Sequence, residues 1–212
     1  FSLALSLGLA IAGLTVRGGT GRRPSRKQEK DSQKPAWEEA GFVRRPACWL
    51  AVKSRSLAAV QAAFGLHNPK PCSWLRGLAG EEPVFIAPPV KGWVLVAGSG
   101  LPDPCDDADK CFRFLLDLSR KLGHVQLFSF SSILHHHAWV QAEAGRITRA
   151  FAWAGQTLWK QGRRTAAERE LKVECPDYDF AAVGVGVPEI MALNAEKVPL
   201  LAARWSLDPA RI

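Results

Sequence analysis

From Ala108 to Leu122 the apolar side chains Ala108, Cys111, Phe112, Leu115, Leu118 and Leu122 recur at steps of three and four residues, and Gly123 follows where a left-handed terminating residue is wanted. Pro104, Asp106 and Asp107 mark the start, so a helix is predicted over 105–122. A helix with one broad apolar stripe must lay that stripe on another element, and strand-like runs lie on both sides of it. Before it, Cys48, Leu50 and Val52 alternate with Trp49, Ala51 and Lys53, which turns one face of a strand toward a core. Ser56 then caps a short helix in which Leu57, Val60 and Phe64 fall at helical spacing, ended by Gly65. Asn68-Pro69-Lys70-Pro71 breaks the pattern, and residues 73–78 add one helical turn.

Residues 84–90 and 93–98 read as an antiparallel hairpin, and Pro88 and Pro89, which cannot donate to a ladder, place the earlier run at a sheet edge. After the long helix, residues 125–131, 133–143 and 146–154 read as three more strands, the last two joined across Ala144-Gly145. The predicted class is α+β. Its order is that of a ferredoxin-like βαββαβ antiparallel sheet, extended by a hairpin at the open edge of the fourth strand, with both helices on one face. Beyond Gly162 the reading gives a polar helix at 165–173, an apolar link at 183–187 and a C-terminal helical segment at 188–205 that Pro199 restarts as a first-turn residue.

The domain expected at 47–212 is preceded by two segments of different character. Residues 1–16 are uncharged and apolar, and residues 17–46 form a flexible basic linker rich in Gly, Pro, Ser, Lys and Arg. The opening run fits a cleaved export signal, with Ala10-Ile11-Ala12 as the small-x-small site, a membrane anchor completed by residues upstream of Phe1, or a buried terminus. The expected location is therefore membrane-anchored or exported, the side of the membrane undetermined. Of 28 basic and 20 acidic residues, seven and four lie within 1–40, leaving 21 against 16 for the folded part. That mild excess, with Arg149 as the one basic residue interleaved with aromatics on the sheet, argues against nucleic acid. A protein partner or a membrane surface remains.

His135-His136-His137 is the one cluster of metal-ligating type. On a strand running through 133–143, His135 and His137 share a face, two candidate ligands without a third, so no metal is expected. With a two-residue turn at Ala144-Gly145, Val140 opposes Arg149 and His136 opposes Trp153. His136, Val140, Ile147, Arg149, Phe151 and Trp153 then line one face, and His135, His137, Trp139, Ala150 and Ala152 the other. His135, His137, Trp139, Arg149 and Trp153 are the candidate ligand or partner surface, weighed against tight packing of tryptophan on alanine in a core.

Cys48, Cys72, Cys105, Cys111 and Cys175 form no CxxC pair and are expected to be mostly free, buried thiols. Gly98-Ser99-Gly100 lacks the Lys-Ser/Thr of a phosphate loop, and Asp103, Asp106 and Asp107 after it suit caps. With no nucleophile elbow, zinc-protease or dinucleotide motif, no cofactor is expected. The leading functional reading is a non-enzymatic binding or interaction domain at or beyond a bacterial membrane. The alternatives are a metal-dependent or His-based hydrolase using His135 and His137, and a toxin-neutralising partner protein.

The stretch from Pro89-Val90-Lys91-Gly92-Trp93 through Leu118-Ser119-Arg120-Lys121-Leu122-Gly123 to His137-Ala138-Trp139 and Arg149-Ala150-Phe151, about half the chain, resembles bacterial proteins of no established function. The resemblance implies a bacterial α+β domain and no particular activity.

Overall fold

Alternation along Cys48–Lys53 (β1) serves two cores rather than one, because both its faces are covered. The computed structural model describes residues 45–80, 82–179 and 187–212. The expectations for the apolar opening run, for most of the basic linker and for the link up to residue 186 fall outside the described residues.

Ser56 caps Leu57–Ala63 (α1), its side chain accepting from the Ala59 N–H at 3.2 Å, and Ser73 caps Trp74–Ala79 (α2) in the same way. Phe85–Ile86 (β2) and Trp93–Ala97 (β3) form a hairpin closed by a two-residue turn at Lys91 (φ 50°) and Gly92 (φ 81°), the left-handed pair that matches strand twist. The long helix begins three residues later than expected, at Ala108–Leu122 (α3). Asp107 caps it through the Lys110 N–H, while Asp103 closes the turn before it through the Cys105 N–H. His124–Ser131 (β4), His136–Glu143 (β5) and Arg146–Trp153 (β6) follow. Thr157–Gln161 (β7) is a further strand, at residues to which the sequence reading assigns no element. Ala166–Glu170 (α4) and Val187–Trp205 (α5) follow, and a 3-10 turn at Pro209–Arg211 ends the chain's described helices. α5 runs through Pro199 without a restart.

The seven strands form one antiparallel sheet in the order β2-β3-β1-β4-β5-β6-β7, with β2 at an edge as expected, although the run expected at 84–90 is strand only over Phe85–Ile86 and ends before Pro88 and Pro89. On one face Leu50, Val52, Val96, Leu127 and Val140 pack with Val60 of α1 and with Cys111, Leu115 and Leu118 of α3, so these two helices share a face as expected. On the other, Trp49, Phe128, Trp139 and Phe151 form an aromatic row across four neighbouring strands, capped by Leu78 of α2 and by Met191, Val198 and Leu201 of α5. The helices therefore do not all lie on one side. The C-terminal helix covers the face opposite α1 and α3, because that face is itself apolar and must be shielded from water.

Two expected registers change. β5 starts at His136 rather than residue 133, because 132–135 form the reversal out of β4 and His135 adopts φ 55°. Between β5 and β6, Ala142 opposes Ile147 but Gln141 opposes Arg149, so Thr148 is the extra residue of a β-bulge. Val140 consequently opposes Ala150, His137 opposes Trp153, and Arg149, Phe151 and Trp153 share a face with His137 and Trp139.

Cys111 sits fully buried on the apolar stripe of α3 and is unpaired. It is expected to resist thiol reagents in the native protein and to react only after denaturation, as mass spectrometry of labelled peptides would record; modification on the timescale of the half-buried Cys72 would contradict this packing.

Candidate functional site

The histidine pair does not assemble. His135 lies exposed in the β4–β5 turn, whereas His137 is fully buried, and its Nδ1–H donates to the backbone oxygen of His135 at 3.0 Å. The His137 ring stacks on Trp139 at 5.7 Å and lies beside Phe151. Its Nε2 is buried without a hydrogen-bond partner. Burial in these apolar surroundings pushes the ring's pKa down to about 4, so the imidazole is neutral at physiological pH. Among the described residues no three His, Cys, Asp or Glu side chains are arranged to hold a metal ion. Trp139, Arg149 and Trp153 are buried as well, which leaves His135 as the one exposed member of the predicted surface.

What the bulge brings together instead is a buried ion pair. Arg149 Nε and Nη2 both donate to Glu168 Oε1, at 2.8 and 2.7 Å. Arg149 Nη1 donates to the backbone oxygens of Ala150 and Gln161, and Nη2 reaches Cys175 Sγ at 3.1 Å. Trp139 Nε1 donates to the same carboxylate oxygen at 2.7 Å, and the Thr165 N–H to Oε2 at 2.6 Å, half of a capping box at the start of α4. Burial alone would raise the Glu168 pKa. The hydrogen bonds from Arg149 and Thr165 outweigh it and hold the carboxyl below its ordinary value. Cys175, desolvated beside the guanidinium, has its thiol pushed up to about 11 and is not a thiolate at neutral pH. The network therefore has neither an ionisable nucleophile nor a proton to exchange near pH 7, and its chemistry is that of a staple. Thr165-x-x-Glu168 is legible in sequence as a capping box; its pairing with Arg149 is not.

A second polar cluster lies at the Cys48 end of β1, where Cys48 pairs with Ser129 of β4. Asp103 accepts from Ser129 Oγ at 2.5 Å and from the Cys105 N–H at 2.8 Å. Burial, with the Asp103 charge behind it, drives the thiol pKa values of Cys48, Cys105 and Cys111 upward, so these cysteines stay protonated and inert.

The feature that sequence reasoning missed is apolar. The β4–β5 reversal presents Ile133, 88% exposed, and Leu134, 62% exposed. The turn is held by the Leu134 N–H donating to Ser131 Oγ at 3.2 Å and by the His137 bond to His135. Reading 133–143 as strand had hidden it, since Ile133 then belonged to a ladder. No protein-family model, curated protein or solved structure gives a significant match to this chain.

Two outcomes follow from the buried groups. Glu168→Gln leaves the guanidinium buried without its counter-charge and is expected to cost about 3–5 kcal/mol in urea unfolding, whereas Glu170→Gln, at the exposed pair with Arg204, should cost under about 1 kcal/mol. For His137 the folded pKa lies below the ordinary 6.5, so between pH 6.5 and about 4 the unfolded chain binds a proton that the folded chain refuses. Stability falls as pH drops through that window, by about 3 kcal/mol from this group. His137→Phe should flatten this part of the pH profile of unfolding, and an unchanged profile would contradict the assignment.

Proposed function

We propose that this chain is a non-enzymatic interaction domain, held at or exported across a bacterial membrane by its apolar opening run, that binds a protein partner through the tip of the β4–β5 hairpin. The observation that carries the reading is the division of labour between inside and outside. The side chains with chemistry to offer are buried, as Arg149, Glu168, His137 and Cys111 are, or half-buried, as Asp103, Cys48 and Cys105 are, while Ile133 and Leu134 project into solvent from a turn held by its own hydrogen bonds. A pre-ordered apolar tip loses little entropy on binding. Residues 131–136 contain no lysine or arginine to draw in anionic headgroups, which favours a protein partner over a lipid surface. Toxin neutralisation is one form this class of function can take. The hydrolytic alternative draws no support from His135 and His137, one exposed in a turn and the other buried and neutral.

We read the scaffold as a ferredoxin-like core with β5, β6 and β7 added at its open edge. The partial order β2-β3-β1-β4 supports this, as do α1 and α3 on one face.

A photo-crosslinking residue at position 133 should capture a discrete partner in cells, and one at the exposed Arg113 on α3 should not. Leu134→Asp should weaken that capture by at least about tenfold while shifting stability by less than about 0.5 kcal/mol. Equal labelling from both positions would sink the assignment of the tip. Turnover of ester, phosphoester or amide substrates that disappears in a His135→Ala, His137→Ala variant would return the hydrolase reading.

A further inference from the structure

α5 is apolar on two sides. Met191, Val198, Leu201 and Ala202 are buried against the sheet, yet Ile190, Leu193 and Leu200 on the outer side are 43, 53 and 42% exposed. A surface helix ordinarily shows water a polar face. The outer residues recur at steps of three and four: Ile190, Leu193, Lys197, Leu200, Arg204. That is the spacing of a helix–helix seam.

From this stripe we propose that α5 forms the two-fold interface of a homodimer, packing antiparallel against α5 of a second copy with the axis between Glu196 and Lys197. The argument is self-complementarity. In an isologous pair each position faces a fixed partner position, so a sequence fits itself only if both halves match. With the axis at this point, each Leu193 stands level with Leu200 of the copy. Each Ile190 arrives beside Ala203 and Arg204, where a groove of about 340 Å³ is lined by Leu171 and Leu200 together with these two residues and Arg211. The acidic end of the stripe at Glu189 lies level with the basic end at Arg204, and the helix dipoles oppose. A parallel pair would instead set Lys197 on Lys197 and Arg204 on Arg204. At the axis the two copies contribute two Glu196 and two Lys197, a neutral set of four. Lys197 Nζ, which otherwise reaches the Lys172 oxygen at 2.9 Å, and Arg204, paired with the exposed Glu170, both have heads at the surface and can turn toward the copy. The seam from Glu189 to Arg204 is roughly 22 Å long.

Sedimentation equilibrium of the full chain tests the proposal. The wild type is expected to be a dimer at tens of micromolar, and Leu193→Asp with Leu200→Asp, both at exposed positions, should give a monomer with an unchanged circular dichroism spectrum. Glu196→Lys alone places four positive charges around the axis and Lys197→Glu four negative ones, so each should weaken association by about tenfold or more. The double variant E196K/K197E restores a neutral set and should recover most of the affinity. The proposal is overturned by a monomer at about 100 μM, as residues 1–16 covering this stripe would produce, by self-association that survives the two aspartates, or by a double charge swap that binds no better than the single ones.

Discussion

The pairing of Arg149 with Glu168 holds the second half of this domain in place. A guanidinium and a carboxylate taken out of water are tolerated only if nearly every donor and acceptor finds a partner, and here the partners come from β5, β6, the end of β7, the start of α4 and the segment at Cys175. Hydrophobic contact alone would let these pieces slide, because apolar surfaces have no preferred direction. The ion pair gives them one. A second carboxylate does similar work at the chain's far end, where Asp208 accepts two hydrogen bonds from Arg45 and one from the Ala210 N–H, joining the first described residues to the last.

Around that fixed point the sheet is buried on both faces, and this explains how polar side chains are used. The aromatic row from Trp49 to Phe151 gives α5 a broad surface to cover, with ring centroids 5.4 Å apart for Trp49 and Phe128 and 5.1 Å apart for Trp139 and Phe151. Groups drawn into such a layer lose their water and with it their reactivity. His137 becomes neutral and Cys175 remains a thiol. The exposed apolar side chains include Ile133 and Leu134 at one turn, Leu75 on α2, and Ile190, Leu193 and Leu200 along α5.

Much of this was legible in the chain. The α3 stripe and the Ser56 cap of α1 were visible as local patterns, as were the prolines that follow the β2 edge and the two-residue turn at Ala144-Gly145, whereas Ser73 was read as part of a turn and not as the cap of α2. Each is decided within a few residues. β7 was missed because a five-residue strand with a lysine and a glutamine at its end carries too short an alternation to stand out. The placement of α5 was not legible for another reason: a helix apolar on two sides does not declare which side meets the sheet. The candidate site fared worse. His135 and His137 were put on one face by parity counting, which fails as soon as the strand starts at His136. Arg149 was put on the wrong face because nothing in Arg146-Ile147-Thr148-Arg149 marks a bulge.

That bulge ties the length of one strand to the fate of another segment. Thr148 turns its carbonyl toward Gly162, so close that a Cβ there would collide with it, and Gly162 is where the chain leaves β7 on its way to α4. The extra residue thus does two jobs: it swaps the parity of everything after it in β6, and it gives the departing chain a surface to rest on. Related sequences that differ by one residue in the stretch between the Ala144-Gly145 turn and Arg149 should therefore be rarer than those that differ in the 132–135 reversal. Loss of a residue in that stretch removes the bulge and the surface with it, whereas the reversal at 132–135 can lengthen without altering which face any core residue occupies.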